Sequence, residues 1–319
     1  MRILSSGDWH VNLHKKKVPY KWQENRFLQF FIKLKELEKT CDIHVISGDV
    51  FDEAPNTDET CLVLSYLNTV SIPTILIPGN HSSTQKGHSF WEDFKRDNSI
   101  TNRNVYLSVE NERINILGQW FQTFPYGQVQ LKNTPDYHAG DILVTHIRGE
   151  VPPHISAEFD FEKLRNWKLI LLSDLHFNHK YKDFPAYYPG SPLNTTFDRD
   201  DKRKYGVDII ELESVDNYKV RFHDLDLPKL IRRTVPVGTK MIADPIHHIV
   251  YEVTGTIDEL AKVEKSELLD KKMVDKPTGG SVLDLKDKTV IEELEIYLDH
   301  IKVAEKDAVI AEYKKLGIQ

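Results

Sequence analysis

Five short polar motifs in this chain carry side chains that bind divalent metals in proteins, and each follows an apolar stretch. They are Asp8-Trp9-His10, Gly48-Asp49, Gly79-Asn80-His81, His146 and Asp174-Leu175-His176. Carboxylate, imidazole and amide groups that recur at strand ends are what a site for two divalent cations requires. Two such ions about 3.5–4 Å apart can contact both the attacking and the leaving oxygen of a phosphoryl transfer. The motifs therefore predict a phosphoester hydrolase.

The spacing within the motifs supports a shared site. Asp8 and His10 are two residues apart, so their side chains share one face of an extended segment, and Asp174 and His176 repeat this spacing. Asp49 follows a glycine that allows a close turn, and an aspartate there can bridge two cations. Taken singly, each motif has a structural alternative, such as a turn aspartate or a core histidine. Their order along the chain favours the metal site.

The elements that must hold these motifs read as alternating strands and helices. Apolar stretches predict strands at 2–6, 42–47 and 72–77, and helical spacing predicts helices at 22–39 and 57–69. This order predicts α/β architecture with adjacent parallel strands. Further strands are predicted at 105–107, 113–117, 142–145, 169–172, 207–212 and 219–223. They favour a mixed sheet, or two packed sheets flanked by helices.

In the last third of the chain, strands no longer alternate with polar site motifs. A strand at 246–254 precedes helical patterning over 258–269, and the segment 276–287 contains a glycine-rich linker. A helix then begins at Thr289 with capping-box spacing to Glu292. Its narrow apolar stripe is typical of helix–helix contacts, so it packs either on a partner or on its own domain.

The composition is typical of a soluble globular protein. Its 319 residues carry a formal net charge of −7, which excludes a protein coated with basic surface but not a local basic groove. Its two cysteines form no CxxC pattern, so we expect a reducing compartment. The sequence shows neither a signal peptide nor an apolar run long enough for a membrane span. We therefore expect a cytoplasmic protein that contacts no membrane.

The motif order resembles that of the calcineurin-like metallophosphoesterases. Two further segments, Gly48-Asp49-Val50-Phe51-Asp52 and Tyr188-Pro189-Gly190-Ser191-Pro192, resemble the recombination-repair nucleases. These comprise the SbcD-type exonuclease subunits, the meiotic-recombination nucleases and their phage counterparts. The resemblance covers roughly residues 1–225, and the rest is similar only in layout.

The resemblance implies a function and a site. It implies a sandwich of two mixed β-sheets flanked by helices over 1–225, a small α+β capping domain over 226–275, a linker over 276–287 and a C-terminal helix over 288–319 that docks on an ATPase. It implies a DNA exonuclease and single-strand endonuclease that uses two manganese or magnesium ions. The implied partner is an SMC-like ATPase, with a homodimer inside a heterotetramer, in the host cytoplasm if the chain is phage-encoded. The residues carried over are Asp8, His10, Asp49 and His176 for one metal, Asp49, Asn80, His146 and Asp174 for the other, and His81 for the transition state.

Two positions depart from the family pattern. Asp174 stands where the family usually has histidine, and Ser82 stands where an acidic residue usually orients His81. We expect an active site that works but is attenuated or depends on the partner. Two alternatives remain: a DNA-end-binding scaffold with a decayed site, and a nucleotide or cyclic-nucleotide phosphodiesterase. We also expect a loop that contacts the DNA backbone, made of Asn194, Thr195, Thr196, Lys202, Arg203 and Lys204.

Overall fold

The computed structural model describes residues 1–82, 89–150, 156–199, 202–274 and 288–315. Over these residues two six-stranded sheets form the larger part of the fold. The first has the strand order β12-β11-β1-β2-β3-β4 and the second β5-β6-β7-β8-β10-β9. Their strands are β1 (Arg2–Ser6), β2 (Ile43–Ile46), β3 (Thr74–Leu76), β4 (Val105–Leu107), β5 (Glu112–Ile116), β6 (Gln119–Phe124), β7 (Ile142–His146), β8 (Ile170–Ser173), β9 (His179–Lys180), β10 (Ala186–Tyr188), β11 (Gly206–Ser214) and β12 (Asn217–Asp224).

Alternating side chains explain why two sheets pack together. Ile3 of β1 and Val45 of β2 lie in an apolar cluster with Val144 of β7 and Leu171 of β8, between the sheets. Their neighbours along the same strands point to the opposite faces, because successive side chains of a strand alternate. Both sheets mix parallel and antiparallel pairs, as β1 pairs parallel with β2 but antiparallel with β11. The predicted sandwich of two mixed sheets is confirmed.

Helices cover the outer face of the first sheet. They are α1 (Tyr20–Glu38), α2 (Thr57–Leu67) and α3 (Phe90–Arg96), and they bury Phe27, Phe30 and Trp91 against Leu4 and Ile46 of the sheet. The outer face of the second sheet is covered by another cluster that includes Trp167, next to the short helix α4 (Tyr126–Gln130).

The C-terminal elements differ from the prediction in two places. The strands β13 (Leu230–Pro236), β14 (His248–Gly255) and β15 (Leu269–Val274) form a third sheet, with the helix α5 (Ile257–Ala261) between the last two. The helix predicted at 258–269 is therefore too long, because α5 ends at Ala261. The single C-terminal helix is also wrong, because α6 (Val290–His300) and α7 (Lys306–Lys315) are separate.

Contact clustering divides the chain into two compact units. One contains Met1–Arg233, Lys240–Glu252 and Ser266–Asp270, and the other Thr234–Thr239, Val253–Lys265 and the residues from Lys271 onward. The predicted linker at 276–287 lies outside the described residues, and the four-part domain division stays a prediction. Among the described helices, none is both long and apolar enough to span a membrane.

Candidate metal centre

The polar motifs meet at one edge of the sandwich because they follow neighbouring strands. The strands β1, β2 and β3 are parallel neighbours in one sheet, and β7 and β8 are parallel neighbours in the other. Asp8, Asp49 and Asn80 follow the first three strands, while His146 ends β7 and Asp174 follows β8. Since the carboxyl ends of parallel strands share an edge, the two sheets bring these side chains together.

Four of these residues have left-handed backbone conformations. The φ angles are 50° at Asp8, 46° at His10, 47° at Asp49 and 109° at Asp174. Such conformations cost roughly 1–2 kcal/mol per residue outside glycine, so the surrounding structure must hold them. The amide of Asp8 donates to the Gly48 carbonyl at 3.0 Å, and the amide of His10 donates to the Asp49 carbonyl at 3.0 Å. The strained turns thus support one another.

The four histidines of the site share one orientation. Each places Nδ1 against an oxygen, so that Nε2 is left for the centre of the site. The oxygen belongs to the Asp52 carboxylate for His10 (3.2 Å), to the Ser47 carbonyl for His146 (2.9 Å), to the Thr195 hydroxyl for His176 (3.1 Å) and to the Asp52 carbonyl for His81. Carbonyl and carboxylate oxygens only accept, so Nδ1 of His10, His146 and His81 is a donor, whereas the Thr195 hydroxyl can donate or accept. A ring held at Nδ1 presents Nε2 to the site, where it can bind a metal.

Asp49 lies at the middle of the cluster. Its Oδ2 is 3.3 Å from Nε2 of His146 and 3.8 Å from Nε2 of His10, while its Oδ1 accepts the backbone amide of His81 at 2.9 Å. A Cβ at Gly79 would stand 2.2 Å from Oδ1 of Asp49, so no larger residue fits there. A carboxylate between two histidines of different strands has the position that bridging two cations requires.

The charges of the side chains in the cluster balance one another. Burial alone would lower the pKa of His146, but Asp49 and Asp8 raise it to about 10. Burial also opposes ionisation of Asp49, and His146 and His10 nevertheless lower its pKa to about 2. Asp8 has a pKa raised to about 6, chiefly by burial. The carboxylates of Asp49 and Asp8 thus surround Nε2 of His146 with negative charge, which favours a positive charge at this point of the site.

The donor set fits divalent cations. In the part of the chain that the structure describes, three groups of side chains each bring their ligand atoms within 4.8 Å of one another: Asp8, His10 and His176; His10, Asp49 and His81; and Asp8, Asp49 and His146. Among the described residues Nε2 of His10 is buried and has no hydrogen-bond partner, an arrangement that costs free energy unless a cation takes the lone pair. Carboxylate oxygens together with imidazole nitrogens suit manganese, and the oxygens also suit magnesium.

Asp174 lies beside His146 in the cluster. Its Oδ1 is 3.8 Å from Nε2 of His146, and its backbone amide donates to the carboxylate of Asp8 at 3.1 and 3.2 Å. Asn80 places its Oδ1 3.1 Å from the same nitrogen of His146. Burial raises the pKa of Asp174, although His146 and Arg148 oppose this, with Nε of Arg148 4.0 Å from Oδ2. The structure thus brings together all seven residues predicted as ligands.

His81 lies at the exposed rim, with a side chain 39% accessible. Its Nδ1 faces the Asp52 carbonyl, which fixes the ring without an acidic neighbour at position 82. Ser82 instead exchanges hydrogen bonds with the main chain of Gly79 and closes the turn. Asp52 was not among the predicted site residues, although its Gly-Asp-x-x-Asp segment signalled it. No sequence motif indicated that Arg148 or Ser47 belongs to the site.

The loop expected to contact DNA needs one correction. Asn194 is buried, and its side chain accepts from the guanidinium of Arg26 at 2.5 Å and donates to the Leu230 carbonyl at 2.7 Å. It therefore cannot offer that side chain to a ligand. Thr195 holds His176, whereas Thr196 and the three basic residues are exposed. Two of these have carboxylates nearby, Arg203 at 3.8 Å from Asp198 and Lys204 at 3.6 Å from Asp224.

Comparisons with known proteins show the family of this chain. The calcineurin-like phosphoesterase family model matches residues 1–211. The chain is similar to the probable exonuclease subunit 1 of Escherichia phage T5, with 32% identity over 321 residues, covering 95% of this chain and 93% of that protein. Solved structures with a similar fold include TT1561 of Thermus thermophilus (12% identity, 70% of this chain, 98% of that chain, TM-score 0.45) and Yfce, a phosphoesterase from E. coli (13%, 71%, 94%, 0.36). The chain belongs to the calcineurin-like phosphoesterase family, whose members are metal-dependent hydrolases of phosphoesters.

Proposed function

We propose that this chain is a DNA nuclease that holds two divalent cations, preferably manganese, and cleaves phosphodiester bonds. The observation that carries the proposal is the convergence of seven ligand-type side chains from both sheets at one edge, with His81 at the rim. The name of its phage T5 relative, an exonuclease subunit similar over almost the whole chain, supports DNA as the substrate. The proposed ligands are Asp8, His10, Asp49, Asn80, His146, Asp174 and His176.

The residues of the chain have distinct proposed roles in this reaction. When bound, two divalent cations supply the charge that stabilises the phosphoryl transition state and makes water a better nucleophile. The carboxylates and imidazoles hold those ions, and Asp52 keeps the rings of His10 and His81 in place. Because Nδ1 of His81 donates to a carbonyl, Nε2 of the protonated ring is left to donate to the leaving sugar oxygen. His81 is the proposed general acid.

DNA contacts outside the site are proposed for the exposed part of the loop. Thr196, Lys202, Arg203 and Lys204 are exposed, and the sequence places them after Thr195, which touches His176. Contacts from such residues to phosphates are independent of base sequence and weaken with salt. Asn194 is left out of this set, because its side chain is used inside the fold.

The proposed partner is an SMC-like ATPase, with two copies of this chain in a heterotetramer in the cytoplasm. The word "subunit" in the name of the phage T5 relative supports an assembly. The half-exposed apolar side chains of α6 and the residue that follows it, Tyr297 and Ile301, support a docking role for the C-terminal helices. Residues 226–275 are the proposed capping domain and 288–319 the proposed docking segment.

A manganese-dependent cleavage assay on linear duplex DNA tests this function. We expect degradation of the duplex that stops with a chelator, and a higher rate when the ATPase is added. A chromogenic phosphodiester assayed in parallel separates the alternatives. Cleavage of the small diester alone would indicate a nucleotide phosphodiesterase, whereas tight DNA binding without hydrolysis of either substrate would indicate a scaffold. The Asp49→Asn variant is the control for contaminating nucleases.

A further inference from the structure

A chain of buried hydrogen bonds begins at Trp9, the residue between the two proposed ligands Asp8 and His10. The indole Nε1 donates to Oγ of Ser6 at 3.1 Å, and Oγ of Ser6 lies 2.8 Å from Nε2 of His44. On the other side of the ring, Nδ1 of His44 lies 3.3 Å from the hydroxyl of Tyr66. All four side chains are buried, so these contacts are shielded from bulk water.

Chemistry fixes the donors at both ends of this chain. An indole nitrogen only donates, so Oγ of Ser6 accepts from Trp9. At the other end, the hydroxyl of Tyr66 donates to the carboxylate of Glu38 at 2.6 Å, so its oxygen accepts from Nδ1 of His44. The contact between Ser6 and Nε2 of His44 joins the two ends.

The same tryptophan is packed by the helices that carry the far end of the chain. Its ring lies 5.2 Å from that of Phe30, 5.7 Å from that of Phe31 and 5.6 Å from that of Tyr66, all close to edge-on. Phe30 and Phe31 belong to α1, which ends at Glu38, and Tyr66 belongs to α2. Both helices therefore fix the position and the tilt of Trp9.

We propose that Trp9, held by Ser6 and His44, is a positioning residue that sets the left-handed turns of Asp8 and His10 and thereby the affinity for metal. Both neighbours of Trp9 have positive φ angles, which are uncommon outside glycine and persist only when the surrounding structure holds them. A fully buried ring with a directed hydrogen bond supplies the constraint that such a pair of turns needs. Through this ring, α1 and α2 determine the geometry of the metal ligands. The inference rests on the ligands of the proposed function.

The test compares Trp9→Phe, Ser6→Ala, the double variant and Trp91→Phe by calorimetric titration with Mn²⁺ in the absence of DNA. Trp91 is a matched control, because it is fully buried in the same apolar cluster but lies among Phe51, Phe90 and Phe94. We expect Trp9→Phe and Ser6→Ala each to raise the Kd for Mn²⁺ about 10-fold, as is typical when the support of a ligand is removed.

The double variant is expected to be no weaker than the weaker single variant, since both substitutions remove the same hydrogen bond. Trp91→Phe is expected to lower the melting temperature as much as Trp9→Phe while leaving the Kd unchanged. An unchanged Kd in Trp9→Phe, or an equal rise in Trp91→Phe, would overturn the inference. Because the titration needs no DNA, a chain that binds Mn²⁺ but does not cut DNA would refute the proposed nuclease and leave this inference standing.

Discussion

Asp174 offers the sharpest test of the proposed metal centre, through two substitutions that separate charge from reach. Asp174→Asn keeps the length of the side chain and removes its charge, whereas Asp174→His removes the charge and extends the reach. The carboxylate side chain is only 7% exposed, with Oδ1 3.8 Å from Nε2 of His146. If the shorter side chain limits binding of the second metal, His should improve it and Asn should weaken it.

The expected size is bounded by the charge of the Asp174 carboxylate. Two unit charges about 4 Å apart attract each other by about 4 kcal/mol at an effective dielectric constant near 20. Burial and the other carboxylates oppose this gain, since the pKa of Asp174 is raised rather than lowered. We therefore expect Asp174→Asn to cost about 1.4–2.8 kcal/mol, or roughly 10–100-fold in the Mn²⁺ concentration at half-maximal cleavage.

The assay is the initial rate of duplex cleavage over a range of Mn²⁺ concentrations, together with calorimetric binding of the metal. Asp174→His should lower the concentration at half-maximal rate below that of the unsubstituted protein. Arg148→Met is the companion variant, because it removes the guanidinium beside Oδ2 of Asp174 without touching a proposed ligand. If neither Asp174 variant changed the metal dependence, Asp174 would not belong to the coordination shell.

Three further predictions follow from the same geometry. His81→Ala should slow single-turnover cleavage about 10²–10⁴-fold, while calorimetry shows Mn²⁺ binding nearly unchanged; loss of metal binding would make His81 a ligand instead. The triple alanine variant of Lys202, Arg203 and Lys204 should reduce the slope of log K for DNA against log salt by about 0.9 per lost phosphate contact, and an unchanged slope would remove this loop from the DNA surface. Burial raises the pKa of Asp208 to about 7 in the fold, so the folded state binds the extra proton and stability should fall as pH rises from about 4 to 7. The total change in the free energy of unfolding over this range is at most about 4 kcal/mol. Asp208→Asn should abolish it in urea unfolding measured at several pH values, and a pH dependence equal to that of the parent protein would contradict the assignment.

The site was predictable because its residues follow strands that have strong local signals. Buried apolar runs identify β1, β2 and β8, and the carboxyl ends of parallel strands then dictate where Asp8, Asp49 and Asp174 meet. What could not be predicted is the support behind the ligands. Ser6 and His44 are separated by 38 residues and meet only once the sheet has formed.

The C-terminal elements show where periodicity misleads. The end of α6 has no glycine, but Lys302 adopts a φ of 53°, while the amide of Val303 donates to the Leu298 carbonyl at 3.1 Å. This is the usual hydrogen-bonding pattern of a helix end, here built on a lysine rather than a glycine. An apolar stripe alone cannot reveal it. Leu269, the last residue of the other predicted helix, similarly begins β15, because pairing in the third sheet overrides its helical pattern.

The origin of the ligands in two different sheets has a consequence for folding. Asp8, Asp49 and Asn80 come from one sheet, and His146, Asp174 and His176 come from the other, so a cation bound by both sets cross-links the two halves of the sandwich. Because an unfolded chain does not present these groups together, binding adds RT ln(1 + [metal]/Kd) to the stability. At about a hundred times the Kd this amounts to about 2.7 kcal/mol. The melting temperature of this protein should therefore rise with the concentration of free divalent metal, and a chelator should lower it even in the absence of substrate.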